Sequence, residues 1–417
     1  MNPPDTLGPW LKGFPATEPP LPLADVAQRG WQLAELPTPL AVVRQAALAH
    51  NIRWMQDFAD ARGVQLAPHG KTTMSPQLFR RQLEAGAWGL TFANVHQLRL
   101  GLAAGARRAL IANQLVSRAD LAELLALRRT HAGLELAFFV DSQAQLDLIA
   151  AHWPGGDEEK LDVLIELGTT RCGIRDHAPA LALARALQHH PALRLRGIGF
   201  YEGLQVLGET GPDTALMQQW QARVEALLAD VEAEGLIAVQ PLWLSGGGSA
   251  LFDLVAPVLQ GRPGPTPRLG LLRSGCYVCH DHAHYGRYVS VIDHRLGSAS
   301  LQPALEVWTH VLSTPEPGLA LLNAGRRDVS FDQGWPLPVW RMENGQRTAA
   351  PAGWQVTGLN DQHAYLRWDP LECDGPAVGE RVALGPSHPC TTFDKWAWLA
   401  VVDEADRIVD AITTHFA

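Results

Sequence analysis

The sequence predicts an α/β protein: a (β/α)8 TIM barrel followed by a C-terminal all-β domain. Three observations predict it. From about residue 60, short apolar runs alternate with amphipathic stretches, eight times over. No glycine-rich turn follows the first of these runs, as a doubly wound open sheet would require. After about residue 286 helical periodicity fades, and short alternating segments divided by Pro and Gly replace it.

The elements follow in order. Residues 1–37 are rich in proline with short apolar pieces, and read as an extension packing on the β-domain. The strand Pro39–Val43 precedes the barrel and is free to pair with that domain. The barrel strands are read at Val64–Ala67, Gly89–Phe92, Ala109–Ala112, Leu136–Val140, Asp162–Leu167, Gly197–Phe200, Pro241–Leu244 and Leu269–Leu272. Helices such as Pro76–Ala85 and Val95–Ala104 lie between them. The barrel is expected over residues 38–285 and the β-domain over 286–417, with strands such as Ala304–His310 and His363–Trp368.

Composition narrows the function classes. The chain has 417 residues, 47% of them apolar, which suits two domains and excludes disorder. A net charge of -9 without a basic patch argues against nucleic acid. No apolar run is long enough for a bilayer, and Met1–Asp5 lacks the start of a signal peptide, so a cytoplasmic protein is expected. Five scattered cysteines argue against a disulfide framework. Cys276 and Cys279 form a C-x-x-C with no second pair, which argues against a closed zinc knuckle.

Chemistry in a barrel sits at the C-terminal ends of its strands. After the first strand comes Pro68-His69-Gly70-Lys71-Thr72, a lysine beside an imidazole and a hydroxyl, which suits a Schiff base with an aldehyde cofactor. Arg171-Cys172-Gly173 follows the fifth strand and Tyr201-Glu202-Gly203 the sixth. The loop Ser245-Gly246-Gly247-Gly248-Ser249 follows the seventh, offering backbone N–H groups as an anion nest. After the eighth, Ser274-Gly275 adds further donors. Glycine-rich loops after strands seven and eight match the usual phosphate site of barrels. A lysine and a phosphate site on one rim point to pyridoxal phosphate.

These runs, taken with Ser75-Pro76, Arg273-Ser274-Gly275-Cys276-Tyr277, Asn323-Ala324-Gly325 and Pro386-Ser387-His388-Pro389-Cys390, resemble those of D-serine dehydratases and D-threonine aldolases. The fit is nearest to the bacterial amino acid deaminases of that group, and it runs in order from about residue 38 to 395. The resemblance implies an alanine-racemase-like barrel with a β-domain, usually as a homodimer. It implies Lys71 as the cofactor lysine. His69, Arg171, Tyr201, Ser245, Gly246, Gly247, Gly248, Ser249, Ser274, Gly275 and Tyr277 are expected around pyridoxal phosphate. It also implies a divalent metal on His388 and Cys390, which would share a face at i and i+2 of an extended strand. Imidazole with thiolate favours zinc. His280-Asp281-His282-Ala283-His284 looks like a metal cluster, but as a loop leaving the barrel it reads as part of the active-site rim.

The activity expected is loss of water from a D-β-hydroxy amino acid, giving a 2-keto acid and ammonia. D-serine, D-threonine and D-threo-3-hydroxyaspartate all fit. The rival is an aldolase giving glycine and an aldehyde. The family's aldolases more often carry His-x-Asp, so Cys390 favours the dehydratase. A racemase needs no metal. A non-catalytic cofactor-binding barrel needs no β-domain, and a purely structural module leaves the strand-end residues unexplained.

Overall fold

Short apolar runs between amphipathic stretches form eight parallel strands where the sequence suggests them. They are Gln65–Leu66, Leu90–Phe92, Arg108–Gln114, Glu135–Val140, Leu161–Leu167, Leu193–Phe200, Leu242–Gly246 and Arg268–Leu272. The computed structural model describes residues 6–156, 159–260, 264–343 and 345–416, so residues 1–5 of the N-terminal extension lie outside it. Strands two to eight pair in sequence order, and the eighth pairs with the first. A bridge between His69 and Thr91 closes the ring. The Trp88 and Thr91 N–H groups reinforce it, donating to the carbonyls of Leu66 and Pro68 at 2.8 Å each.

Strand periodicity divides the side chains. Leu110, Ala137, Phe139, Leu164, Trp243 and Leu271 fill the barrel interior. Their neighbours Phe138, Val140, Val163, Ile165, Leu242 and Leu272 face the helices in the main core. Trp88 and Trp243 meet edge to face at 4.8 Å inside the ring. The interior is therefore packed, and a ligand site can form only at a rim. The surrounding helices start on local signals. Pro76 opens Pro76–Glu84. Asn94, Ser117 and Ser142 side chains accept N–H bonds at the starts of Val95–Ala103, Arg118–Thr130 and Gln143–His152.

The second domain is an antiparallel sheet centred on Leu305–Glu316. Leu40–Arg44 joins it, antiparallel to Leu305–Glu316 and parallel to Trp398–Val402. Leu7, Phe14, Val26, Trp31 and Leu33 pack on Trp308 and Trp398 of this sheet. One helix, His284–Leu296, extends past residue 286, where the sequence suggests that helical rhythm fades. Among the described residues, no helix is long and apolar enough to cross a membrane.

The β-domain also reaches the barrel rim. The His415 N–H donates to the Met74 carbonyl at 3.0 Å, and Gln77 and Thr413 side chains bond at 3.0 Å. These contacts fasten the segment after Lys71 to the last strand, Ile408–Thr413.

Candidate active site

Lys71 lies in the one-turn helix Gly70–Thr72, directly after the first barrel strand. Gly70 is required there: a Cβ would sit 2.7 Å from the Phe92 ring and 2.9 Å from that of Phe79. The turn aims Lys71 into a cavity of about 650 Å³ at the C-terminal rim. The same cavity is lined by His69, Arg171, Tyr201, Gly247, Gly248, Ser249, Gly275, His388 and Cys390. They come from five strand ends and from the β-domain, so the barrel collects residues far apart in sequence. The Arg171 loop is held by Asp141, whose carboxylate accepts from the Gly173 N–H at 2.9 Å. Gly173 has φ +93°, open to glycine at little cost.

Four expected cofactor residues are not on that wall. Ser245 is fully buried, and its hydroxyl donates to the Leu271 carbonyl at 3.2 Å. Gly246 backs onto the Phe200 ring, which a Cβ would meet at 2.6 Å. Ser274 is buried and donates to the Gly248 carbonyl at 2.9 Å, shaping the loop rather than the cavity surface. Tyr277 points into the core, where its hydroxyl accepts from Gln82 at 2.9 Å. For the three with side chains, strand register or the turn after it directs them away from the cavity.

The N–H groups of Gly247 and Gly248, expected as phosphate donors, bond the buried Glu202 carboxylate at 3.2 and 2.8 Å. Burial raises the pKa of Glu202, and those two donors oppose the shift. Glu202 was visible in the sequence only as the middle of Tyr201-Glu202-Gly203.

An anionic cofactor still fits the remaining groups. Three buried polar atoms around the cavity lack any partner: His69 Nδ1, Ser249 Oγ and Arg273 Nε. Buried groups of this kind are ordinarily satisfied. Burial, then the charges of Lys71, Arg273 and Arg171, hold His69 well below the usual histidine range, so its ring is neutral. Arg273 is buried against the Phe139 ring at 5.2 Å, and Arg171 lies over Tyr201 at 5.1 Å. Two guanidiniums, a lysine and an unpaired hydroxyl around one cavity suit a phosphate-bearing aldehyde.

The β-domain contributes His388 and Cys390 to the same cavity. They are not on an extended strand, as the sequence suggests. The strand Arg381–Gly385 ends first, Pro389 has helical angles of -63° and -45°, and Cys390 begins the short helix Cys390–Phe393. A tight turn brings the two side chains together instead. A third residue joins them. Cys276, from the loop after the eighth barrel strand, puts its Sγ 3.4 Å from that of Cys390. The ligand atoms of Cys276, His388 and Cys390 all lie within 4.8 Å of one another. Asp332 Oδ2 accepts from His388 Nδ1 at 2.7 Å, which leaves Nε2 for a metal, an arrangement common around metal-binding histidines.

The cluster's electrostatics suit a cation. The Cys276 thiol contact, opposed by burial and helped by His388, pulls the Cys390 thiol well below its usual range. The same contact and burial push Cys276 well above it. Burial pulls His388 down, but Cys390 and Asp332 outweigh it and raise its pKa to about 9. A divalent ion binding these three groups would displace protons from them. Sequence spacing could not link Cys276 to residue 390. The available signal was its place on the rim, two residues after Ser274.

The histidine loop is a rim element and not a second metal centre among the described residues. His280 and His282 are lowered to about 4 by burial, and His284 lines the cavity with Tyr285 and Arg287. Asp281 caps the helix His284–Leu296, its Oδ1 accepting from the N–H groups of Ala283, Tyr285 and Gly286. Its Oδ2 is buried without a partner. Burial, opposed by those N–H groups, raises it from 3.8 to about 7. A carboxyl whose folded pKa is raised contributes stability below pH 4 that is lost as pH climbs towards 7. Asp281→Asn should therefore gain thermal stability relative to the native protein between pH 4 and 8. The gain should be at most roughly 4 kcal/mol, read from paired melting curves.

Comparison with known proteins agrees with this geometry. Residues 43–265, more than half of the chain, match the alanine racemase N-terminal domain, and 304–402 match a serine dehydratase domain. The D-threonine aldolase of Arthrobacter sp. is 30% identical over 388 residues, 93% of this chain and 94% of its own. The D-threo-3-hydroxyaspartate dehydratase of Delftia sp. strain HT23 is 30% identical over 382 residues, 86% and 92% of the two chains. Its solved structure gives a TM-score of 0.74 at 26% identity, covering 93% of this chain and 99% of that one. A cysteine-to-alanine mutant of a D-threo-3-hydroxyaspartate dehydratase, solved in the metal-free form, gives 0.72 at 26%, covering 93% and 100%. D-Threonine aldolase from Filomicrobium marinum gives 0.76 at 25%, covering 92% and 96%. With this sequence similarity, this barrel and this rim, the chain belongs to the D-serine dehydratase and D-threonine aldolase-like family of lyases, fold-type III pyridoxal-phosphate enzymes related to alanine racemase.

Proposed function

We propose that the protein is a pyridoxal-phosphate- and metal-dependent dehydratase of D-β-hydroxy amino acids of the D-serine type, releasing a 2-keto acid and ammonia. The observation that carries this reading is the closeness of Lys71 to the Cys/His cluster. Thr72, the next residue, has its hydroxyl 3.5 Å from the Cys390 sulfur and 3.7 Å from that of Cys276. One substrate can therefore present its α-carbon to the lysine and its β-oxygen to the cluster.

Lys71 would hold the cofactor, with Ser249, Arg171 and Arg273 serving its anionic groups. Bound pyridoxal phosphate would supply an electron sink that acidifies the α-proton. His388 and Cys390 would hold the metal, which supplies a Lewis acid for the departing hydroxide. Lys71 Nζ takes the α-proton and returns a proton to the departing β-hydroxyl, which leaves as water. The unsaturated amino acid released rearranges to an imine, and hydrolysis gives the keto acid and ammonia. The neutral His69 ring adds no further positive charge beside Lys71.

The cysteine mutant of a D-threo-3-hydroxyaspartate dehydratase, solved in the metal-free form, supports a metal for a relative of this chain. Thiolate and imidazole ligands support zinc. The similarity to the Arthrobacter D-threonine aldolase favours a second reading, in which a base takes the β-hydroxyl proton and the Cα–Cβ bond breaks. Cys390, in place of a carboxylate, supports the first. Exposed Phe331, Trp335 and Leu337 neighbour in sequence Gln333, which lines the cavity, and support a homodimer contact on this segment. Five unpaired thiols support a reducing, cytoplasmic setting.

A panel of D- and L-β-hydroxy amino acids, assayed for ammonia, tests the proposal. Turnover of D-serine or its β-substituted homologues, with the L-isomers inert, is expected. Turnover of the L-isomers, or of neither series, would sink it.

A further inference from the structure

We propose that Cys276 is a third protein ligand of the metal, so that the centre is Cys2His with one position left for the substrate's β-oxygen. This rests on the reading that a metal binds at His388 and Cys390.

Geometry carries the inference. The sulfurs of Cys276 and Cys390 are 3.4 Å apart. A disulfide bond would require about 2.05 Å. Two thiolates held about 2.3 Å from one tetrahedral zinc lie roughly 3.8 Å apart, close to the spacing observed. The His388 ligand atom falls inside the same 4.8 Å sphere. Both cysteines line the cavity beside Lys71, and both are free thiols.

The two sulfurs are also held in place from opposite sides. Cys276 sits on the loop after the eighth barrel strand. Gly275 fits there only as glycine, because a Cβ would lie 2.6 Å from the His69 carbonyl. Cys390 is carried by the turn into the helix Cys390–Phe393. Thr72 reaches both sulfurs. The metal centre is thus divided between barrel and β-domain, and loading it would join the two across the active site.

The chemical consequence is definite. Three protein ligands with an open fourth position are the usual composition of a catalytic zinc site, and two thiolates with one imidazole is one of its known forms. Two thiolates disfavour magnesium, calcium and manganese more strongly than one does. The β-oxygen would then be bound alone.

X-ray absorption of the zinc-loaded protein under reductant tests this without any variant. Two sulfur ligands at about 2.3 Å are expected, and one sulfur would overturn the proposal. Cobalt(II) substitution gives an independent count. The thiolate-to-cobalt absorption should fall by about half in Cys276→Ser. Zinc affinity in a competition with a chromogenic chelator should weaken at least tenfold, more than loss of an outer-shell partner at the low end of its range. Cys279→Ala should change neither. Cobalt absorption unchanged in Cys276→Ser but lost in Cys390→Ser would confine the site to the original pair and refute the role of Cys276. A native protein that binds neither zinc nor cobalt would instead refute the metal reading itself, and this inference with it.

Discussion

Replacing Lys71 by alanine should give a colourless protein with no measurable turnover. The general-base role alone is worth about 10²- to 10⁴-fold, and the same residue also holds the cofactor, so the loss should reach the upper end of that range or pass it. In the native protein, borohydride should fix pyridoxal phosphate to one peptide, the one containing Lys71. The structure supports this choice because Lys71 projects from the Gly70–Thr72 turn into the rim cavity. Its placement depends on the glycine before it and on the clamp from the last β-strand. A variant that still carried covalent cofactor through another lysine would refute the assignment.

Chelation should have the second largest effect, and a different signature. Removing the metal should abolish elimination while leaving the protein yellow, since Lys71 would hold the cofactor and the cluster the metal. A Lewis acid contributes several kcal/mol to a departing oxyanion. A loss of about 10³-fold in kcat is the scale expected for about 4 kcal/mol. Added zinc should restore the rate. Cys390→Ala should reproduce the stripped state, with its colour intact and no rescue by zinc at ordinary concentrations. Full elimination activity in protein shown to be metal-free would contradict the role given to the cluster.

How much of this was legible in the sequence follows from particular residues. The eight barrel strands could be read because apolar runs such as Leu136–Val140 recur between helices with ordinary start signals. The residues just past those strands, Lys71, Arg171, Tyr201 and Gly248 among them, do meet around one cavity. Their partners were harder to read. Ser245 and Tyr277 sit within the same motifs, but direction depends on register and turn geometry, and both face inward. Gly247 and Gly248 looked like free donors because nothing in the sequence shows that Glu202, 45 residues earlier, occupies them.

The metal cluster shows the same limit. His388 and Cys390 were implied by the family resemblance, yet the strand expected to align them is a turn, because Pro389 enters a helix. Cys276 was paired in the sequence with Cys279, its neighbour in a C-x-x-C. Cys279 is instead buried in the core, and burial pushes its thiol upward. Only the fold brings Cys276 to Cys390, across 114 residues. Asp332, which orients His388, carries no local motif either.

The central claim is that this rim performs elimination at the β-carbon of a D-hydroxy amino acid. D-Threonine tests it most directly, because its two possible fates share no product. Holoenzyme loaded with pyridoxal phosphate and zinc should convert D-threonine to 2-oxobutanoate and ammonia in equal amounts, quantified together in one reaction by chromatography. Glycine and acetaldehyde in equal amounts, with no keto acid, would contradict the account and make the protein an aldolase.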